Sequence, residues 1–218
     1  MSIKISVIMP SFLGDYDYAA TERGEKFNRA VQSFLNQNYT NKELIIVSDG
    51  CYETIERAAH FIADNPHTDI KLIKLDKQEL FSGNVRNTGL FHSQGDVICY
   101  LDSDDMLGSN HLSTIAYYFE INPSLDWLYY DDYVVHRFHP IDKEILVEGK
   151  RENTLEHGTI GTSSIAHKNL KSISWDGCDG YGHDWTFIKK NLIDTELKHT
   201  KIHGASYYVC HIPNGLDV

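Results

Sequence analysis

The sequence predicts an α/β protein of three layers, α/β/α, around a central, mostly parallel sheet, with a smaller C-terminal part. Three observations point there. Apolar, strand-like runs alternate with helix-period segments through the first half of the chain, as when parallel strands are joined by crossover helices. Small and acidic residues close several of those runs, where open α/β sheets collect their ligands. The 218 residues, 41% hydrophobic and 23% charged, have the balance of a globular chain able to enclose one substantial core.

In order, Lys4 to Met9 reads as a buried strand stopped by Pro10. Between Glu25 and Gln37, Phe27, Ala30, Val31, Phe34 and Leu35 recur at helical spacing. Glu43 to Val47 is a second strand, ending in Ser48-Asp49-Gly50, and a helix follows from Thr54 to Ala63. Ile70 to Leu75 is a third strand; Ser82-Gly83-Asn84 then leads into a helix from Val85 to Ser93. Asp96 to Leu101 is the fourth, before a helix from Asn110 to Ile121 stopped by Asn122-Pro123. Further on, Trp127 to Val135 and Lys143 to Val147 read as strands, Lys150 to Ser174 is polar without strong signals, Asp184 to Leu192 is a short helix and Ala205 to Ile212 a last strand. The loop from Phe12 to Gly24, with Asp15, Tyr16, Asp17 and Tyr18, is long enough to cover a ligand.

The formal charge of −11 disfavours sequence-independent binding to nucleic acid or anionic lipid, yet a bound cation can still admit a phosphate-bearing ligand. Cys51, Cys99, Cys178 and Cys210 are scattered, unlike a zinc knuckle or redox pair, which predicts reduced thiols and a cytoplasmic protein. Met1 to Pro10 is too short and strand-like for a secretory signal. No apolar run is long enough to span a bilayer, so any membrane contact is expected to be peripheral or made by a part outside these residues.

Tyr100-Leu101-Asp102-Ser103-Asp104-Asp105 carries the most chemistry, three carboxylates directly after an apolar strand. Oxygen-only ligands at such an edge suit a hard divalent cation, Mg²⁺ or Mn²⁺, held partly by protein and partly by phosphate. On an extended segment Asp102 and Asp104 point the same way and can face one ion. The same residues also read as a solvated acidic loop, or as charge at the start of the next helix. The motif alone does not choose.

Pro10-Ser11-Phe12, Ser48-Asp49-Gly50, the turn Gly83-Asn84-Val85-Arg86-Asn87-Thr88-Gly89, Asp102-Ser103-Asp104 and Gly182-His183-Asp184-Trp185 form an ordered set. With Phe34 to Tyr39 and Glu43 to Val47 between the first two, it resembles the family 2 glycosyltransferases of GT-A (Rossmann-like) fold, from Ile5 to about His211. The resemblance implies an inverting transfer of a sugar from a nucleotide-diphosphate donor, a UDP-sugar first, to a hydroxyl of a saccharide, lipid-linked or protein-linked glycan acceptor. It implies one domain over residues 1–218, with a nucleotide-binding part of about 1–105 and an acceptor-binding part of about 106–218. Residue by residue it assigns Pro10, Ser11 and Phe12 to the first nucleotide-side loop and Asp49 to the base. Arg86 goes near the base and diphosphate, Asp102 and Ser103 to the donor, and Asp104 to the metal. Asp184 is the catalytic carboxylate, and His211 touches metal or diphosphate.

The chemistry is coherent with elementary physics. A departing nucleoside diphosphate develops negative charge, which a bridging cation and the planar fork of Arg86 offset. A carboxylate at Asp184 can take the proton of the attacking hydroxyl. Each position also has a structural reading: Asp49 as a turn residue, Arg86 as half of a surface pair, Asp184 as a helix N-cap, His211 as an ordinary strand residue, Trp175, Tyr181 and Trp185 as core rather than sugar platforms. The chain departs from the usual pattern at the Phe12–Gly24 insertion, at Ser48 where a second Asp is common, at His183 where a Glu commonly precedes the catalytic Asp, and in its short C-terminal end. A sugar-phosphate nucleotidyltransferase and a non-catalytic sugar-nucleotide or glycan-binding module are the competing readings. The acidic, aromatic Gly14-Asp15-Tyr16-Asp17-Tyr18 weighs against the basic glycine-rich loop of the former.

Overall fold

A computed structural model describes residues 2–16, 22–78, 82–138, 145–178, 180 and 182–210. His211, Asp17, Tyr18, Tyr181 and the last seven residues lie outside that set.

Four strands, β1 (Ile5–Ser11), β2 (Lys42–Asp49), β3 (Asp69–Leu75) and β4 (Val97–Tyr100), alternate with α1 (Arg23–Leu35), α2 (Tyr52–Asp64) and α3 (Gly83–Phe91). The chain continues through β5 (Met106–Leu107), α4 (His111–Ile121), β6 (Trp127–Tyr130), β7 (Asp132–Phe138) and β8 (Ile145–Arg151). A single 3₁₀ turn, Thr162–Ser164, leads into β9 (Ile165–Lys168). Then come α5 (His183–Ile188), a π-turn at Lys189–Ile193, β10 (His199–Ile202) and β11 (Tyr207–Val209).

The main sheet has seven strands in the order β10-β6-β9-β4-β1-β2-β3. Only β9 runs against the rest. A second, four-stranded sheet has the order β5-β11-β7-β8. Side-chain alternation divides the core into two layers. Ile5, Val7, Met9, Leu44, Ile46, Val97 and Cys99 face one side, packed with Phe27, Ala30, Val31 and Phe34 of α1, Ala58 of α2 and Leu112, Ile115 and Phe119 of α4. Ile8, Ile98 and Tyr100 face the other, under Leu90 of α3 and Phe187 and Ile188 of α5. Ile45 and Val47 meet Val85 of α3 on that same side. Helices therefore cover both faces, and α3 sits close because a Cβ at Gly89 would lie 2.5 Å from Ile8 Cγ2.

Several sequence expectations need correcting. Pro10 does not stop β1, which pairs with β2 through Pro10↔Val47 and Ser11↔Ser48. Ile8 accepts from Leu101 N–H on the β4 side, where the β1–β4 ladder ends. Pro10, two residues on, turns its missing N–H toward the same side, which has opened and needs no donor. Trp127 to Val135 is two strands, not one: β6 belongs to the main sheet and β7 to the second, with Asp131 at the switch. The polar segment 150–174 contains β9, the link between β4 and β6. Its four residues include His167, which is buried because its Nε2 meets the Tyr100 hydroxyl at 2.9 Å and its Nδ1 the Lys168 carbonyl at 2.7 Å. β10, His-Thr-Lys-Ile, is a polar edge strand and gave no apolar signal.

Candidate functional site

The chain runs β1, β2, β3 to one side and then returns to place β4 on the other side of β1. That reversal is the switch point at which open α/β sheets bind ligands, and a cavity of about 1080 Å³ lies there. Pro10, Ser11, Phe12, Asp49, Arg86, Asp102, Ser103, Asp104 and Asp184 all lie on its wall. The fold thus gathers every sequence-derived site residue within the described set into one hollow.

At one end, Asp49 is buried beside the β2 terminus. Its carboxylate accepts from Lys77 Nζ at 2.6 Å and from the Gln78 amide at 2.6 Å. Lys77 Nζ also lies 4.6 Å from the centroid of the Phe12 ring. The buried hydroxyl of Ser11 on the cavity wall lies 3.0 Å from Thr54 Oγ1. Ser48 closes the turn instead of facing the cavity: its hydroxyl donates to the Cys51 carbonyl at 3.0 Å. Arg23 holds the Phe12–Gly14 loop by donating to the carbonyls of both residues.

Arg86 occupies the centre. It projects from α3, is 3% exposed, and lies over the Trp175 ring at 5.1 Å. Nη2 donates to Asp102 Oδ1 at 2.6 Å, while Nη1 donates to Ser82 Oγ and to His183 Nε2, the latter at 3.1 Å. Asp184 Oδ1 stands 3.9 Å from Nη1. Burial opposes the charge, but Asp102 and Asp184 outweigh it and hold the guanidinium more firmly protonated than usual. Arg86 is therefore a fixed buried cation within an acidic ring, not half of a surface pair. Trp175 is core: it is 1% exposed and stacks on Phe187 at 4.0 Å. Trp185 lies on the cavity wall.

The acidic loop is braced from the terminal strand. Tyr207 of β11 accepts the Asp102 N–H at 3.1 Å and donates to Asp105 Oδ2 at 2.8 Å. Asp105 Oδ1 accepts the Cys210 N–H at 2.7 Å. Burial pushes the Asp105 carboxyl well above the ordinary range, with Asp104 and Asp102 adding to it. Arg29 donates to the Asp104 carbonyl at 2.5 Å. The helix-start reading of Asp104 and Asp105 does not apply, since α4 begins at His111.

Asp184 lies in the first turn of α5, whose N-cap is Gly182 at φ 84°, so the N-cap reading of Asp184 fails as well. Its Oδ1 accepts from Thr162 Oγ1 at 3.0 Å and sits 3.2 Å from His183 Nε2. Sequence reasoning missed Lys77, Arg23, Thr162 and Tyr207, each defined by what it reaches across the fold, and it included Asp105 in the acidic motif without showing that this carboxyl turns inward.

Among the described residues no three His, Cys, Asp or Glu side chains converge as a closed metal cage. A cation shared with a diphosphate would need only one or two protein carboxylates, with water and phosphate oxygens completing its shell. Half-buried Asp102 and Asp104 on the cavity wall have the chemistry for it. Among the described residues no helix is long and apolar enough to cross a membrane.

A model of the family described as glycosyl transferase family 2 matches residues 6–197. The poly(ribitol-phosphate) β-N-acetylglucosaminyltransferase TarP of Staphylococcus aureus is 35% identical over 127 residues, which are 56% of this chain and 34% of that protein. The chain thus spans about a third of that relative's length. Among solved structures, S. aureus TarS 1–349 superimposes with a TM-score of 0.71 at 18% identity, covering 95% of this chain and 60% of that one. Mannosyltransferase PcManGT of Pyrobaculum calidifontis, in complex with GDP-Man and Mn²⁺, gives 0.67 at 12% identity over 96% of this chain and 57% of its own. The described architecture is accordingly the GT-A fold.

Proposed function

Because the chain belongs to glycosyl transferase family 2, we propose that it transfers a sugar from a UDP-sugar to a hydroxyl of a saccharide, lipid-linked or protein-linked glycan acceptor, with inversion. The observation that carries this reading is the common cavity: Asp49, Arg86, Asp102–Asp104 and Asp184 share one wall. A TarS complex with UDP-GlcNAc, with a TM-score of 0.68 at 16% identity, gives a UDP-sugar first place among donors to try.

In this reading Asp49 and Phe12 hold the base, and residues of about 1–105 form the nucleotide side. Asp104 holds a Mn²⁺ or Mg²⁺ ion with phosphate oxygens, with His211 as a further ligand; when bound, the ion supplies positive charge to the diphosphate. Arg86 adds a second fixed charge there, oriented by Asp102. Residues of about 106–218 form the acceptor side, where Asp184 takes the hydroxyl proton. The acceptor oxygen keeps the O–H electron pair and bonds to the anomeric carbon. The bond from that carbon to the diphosphate breaks, and its pair leaves with the diphosphate. One displacement inverts the centre. Cys51 and Cys99, buried and without a disulfide among the described residues, support a reducing, cytoplasmic setting.

The test is a screen of nucleotide sugars for hydrolysis with Mn²⁺ and with EDTA, run on the native chain and Asp184→Asn. Turnover with one donor, lost in EDTA and reduced at least a hundredfold by Asp184→Asn with UDP affinity kept, is expected. Inactivity with every donor, and no thermal shift from any nucleoside diphosphate, would refute the reading. An Asp184→Asn variant with full turnover would remove the base assignment.

A further inference from the structure

Four lysine or arginine side chains line the cavity among the described residues: Arg23, Lys77, Arg86 and Arg151. The first three belong to the nucleotide-side part and are spent on it. Arg23 holds the carbonyls of Phe12 and Gly14, Lys77 pairs with Asp49, and Arg86 is sealed in against Asp102. Arg151 stands on the acceptor-side part, at the end of β8. Its side chain is 46% exposed, where that of Arg86 is 4% exposed.

Arg151 and Asp132 are direct cross-strand partners on β8 and β7. Nε donates to Asp132 Oδ1 at 2.8 Å and Nη2 to Oδ2 at 2.5 Å. That side-on grip takes one edge of the guanidinium and two of its five N–H donors. The other edge, one N–H of Nη2 beside those of Nη1, has no partner among the described residues. It is a second fork, with the spacing that carboxylates and phosphates accept.

Asp132 is fully buried and also accepts from Ser164 Oγ at 2.8 Å and Asn153 Nδ2 at 3.3 Å. A cross-strand ion pair can stand in water, and sinking its carboxylate is costly. What burial adds is direction: the surrounding donors fix Asp132, and Asp132 fixes the plane of the guanidinium. Ser164 shares its single 3₁₀ turn with Thr162, whose hydroxyl donates to Asp184 Oδ1 at 3.0 Å. One three-residue turn thus braces both Asp184 and the counter-ion of Arg151, which ties the free fork to the side of the cavity where the proton is taken.

From this geometry we infer that Arg151 binds an oxyanion, phosphate or carboxylate, carried by the acceptor, so that the enzyme serves a negatively charged acceptor. The inference rests on the transferase reading with Asp184 as base. The same wall carries Asp49, Asp102, Asp104 and Asp184, on a chain of formal charge −11. An anionic acceptor needs a dedicated donor to settle there, whereas a neutral glycan has no use for a fixed cationic fork.

The test is a titration of the intact protein, saturated with UDP and Mg²⁺, with glycerol 3-phosphate, glycerate and, as the neutral control, glycerol. UDP keeps the anions out of the donor side. In ¹H–¹⁵N spectra the Arg151 side-chain signals should shift with a dissociation constant of about 1 to 10 mM for at least one anion, and not with glycerol. The tighter of the two tells phosphate from carboxylate. Arg151→Gln, followed through the Ser163 and Ser164 amides, should weaken the anion at least tenfold while the UDP dissociation constant stays the same. Because that variant strands the buried Asp132, the double variant Asp132→Asn, Arg151→Gln is run beside it and should show the same loss. An Arg151 signal that ignores both anions, an equal response to glycerol, native anion affinity in both variants, or UDP affinity falling in step with anion affinity would overturn the inference. If UDP itself does not bind, the transferase reading falls and takes this inference with it; UDP binding without an anion response at Arg151 fells this inference alone.

Discussion

His167 gives the most direct test of how the missed strand β9 is held. Burial pushes its imidazole down from the ordinary 6.5 to about 4. The neutral ring accepts from Tyr100 at Nε2 and donates to the Lys168 carbonyl from Nδ1. A folded pKa below the unfolded one means stability that is whole above pH 6.5 and declines as the pH falls toward 4, because only the unfolded ring takes up a proton there. At pH 5 the unfolded ring is nearly all protonated and the folded ring nearly all neutral, which costs about 2 kcal/mol relative to pH 7.5, from 1.36 kcal/mol per pH unit over roughly 1.5 units. His167→Gln cannot titrate and can still accept from Tyr100, though it gives up the bond to Lys168, at about 1 kcal/mol. Urea denaturation at both pH values should therefore find the variant less stable at pH 7.5, and gaining about 2 kcal/mol on the native protein at pH 5. Using the difference between the two proteins cancels groups of opposite sign, such as Asp105, whose raised pKa favours the folded state as the pH falls. A difference that does not change with pH, or changes the other way, would refute the reasoning.

Two further outcomes follow from the charge layout. Glu43 is fully buried at the end of the sheet away from the cavity; burial works against its charge, but Lys71, Ser6, the Gln94 amide and Lys4 outweigh it and hold the carboxyl at about 2. Its contribution is therefore complete above pH 4.5 and lost as the pH falls through about 2, and Glu43→Gln should cost about 3 kcal/mol at pH 7 by urea denaturation, with less than about 1 kcal/mol counting against the ion cluster. Asp49→Asn should weaken UDP binding about tenfold or more by calorimetry, because a charge-assisted acceptor that Lys77 and Gln78 now orient is replaced by a neutral amide; unchanged affinity would remove Asp49 from the base site.

How much was legible in the chain can be judged from particular elements. β1 to β4 were readable as short apolar runs, continuous where β1, β2 and β4 are buried on both faces, and α1 by apolar residues at helical spacing, all of them local properties. The acidic turn after β4 and the Asp49 turn after β2 were readable because a strand end followed by small and acidic residues is a local signal too. β9 was not, since four residues that include a histidine carry no period, and their burial comes from Tyr100 and Trp127 on neighbouring strands. The break at Asp131 was hidden for the same reason: both strands are rich in aromatic and β-branched residues, and only the second sheet tells them apart.

By itself the sequence determined the alternating layers and which side chains stand at strand ends, since both follow from local spacing and propensity. It could not determine that Asp105 turns inward to Tyr207, that Lys77 pairs with Asp49, or that Arg86 joins Asp102 to His183. Those contacts span 16 to 102 positions along the chain, and their distances exist only once the sheet has closed. Proton location and charge depend on such contacts, so the tertiary structure alone decided the chemistry of the cavity.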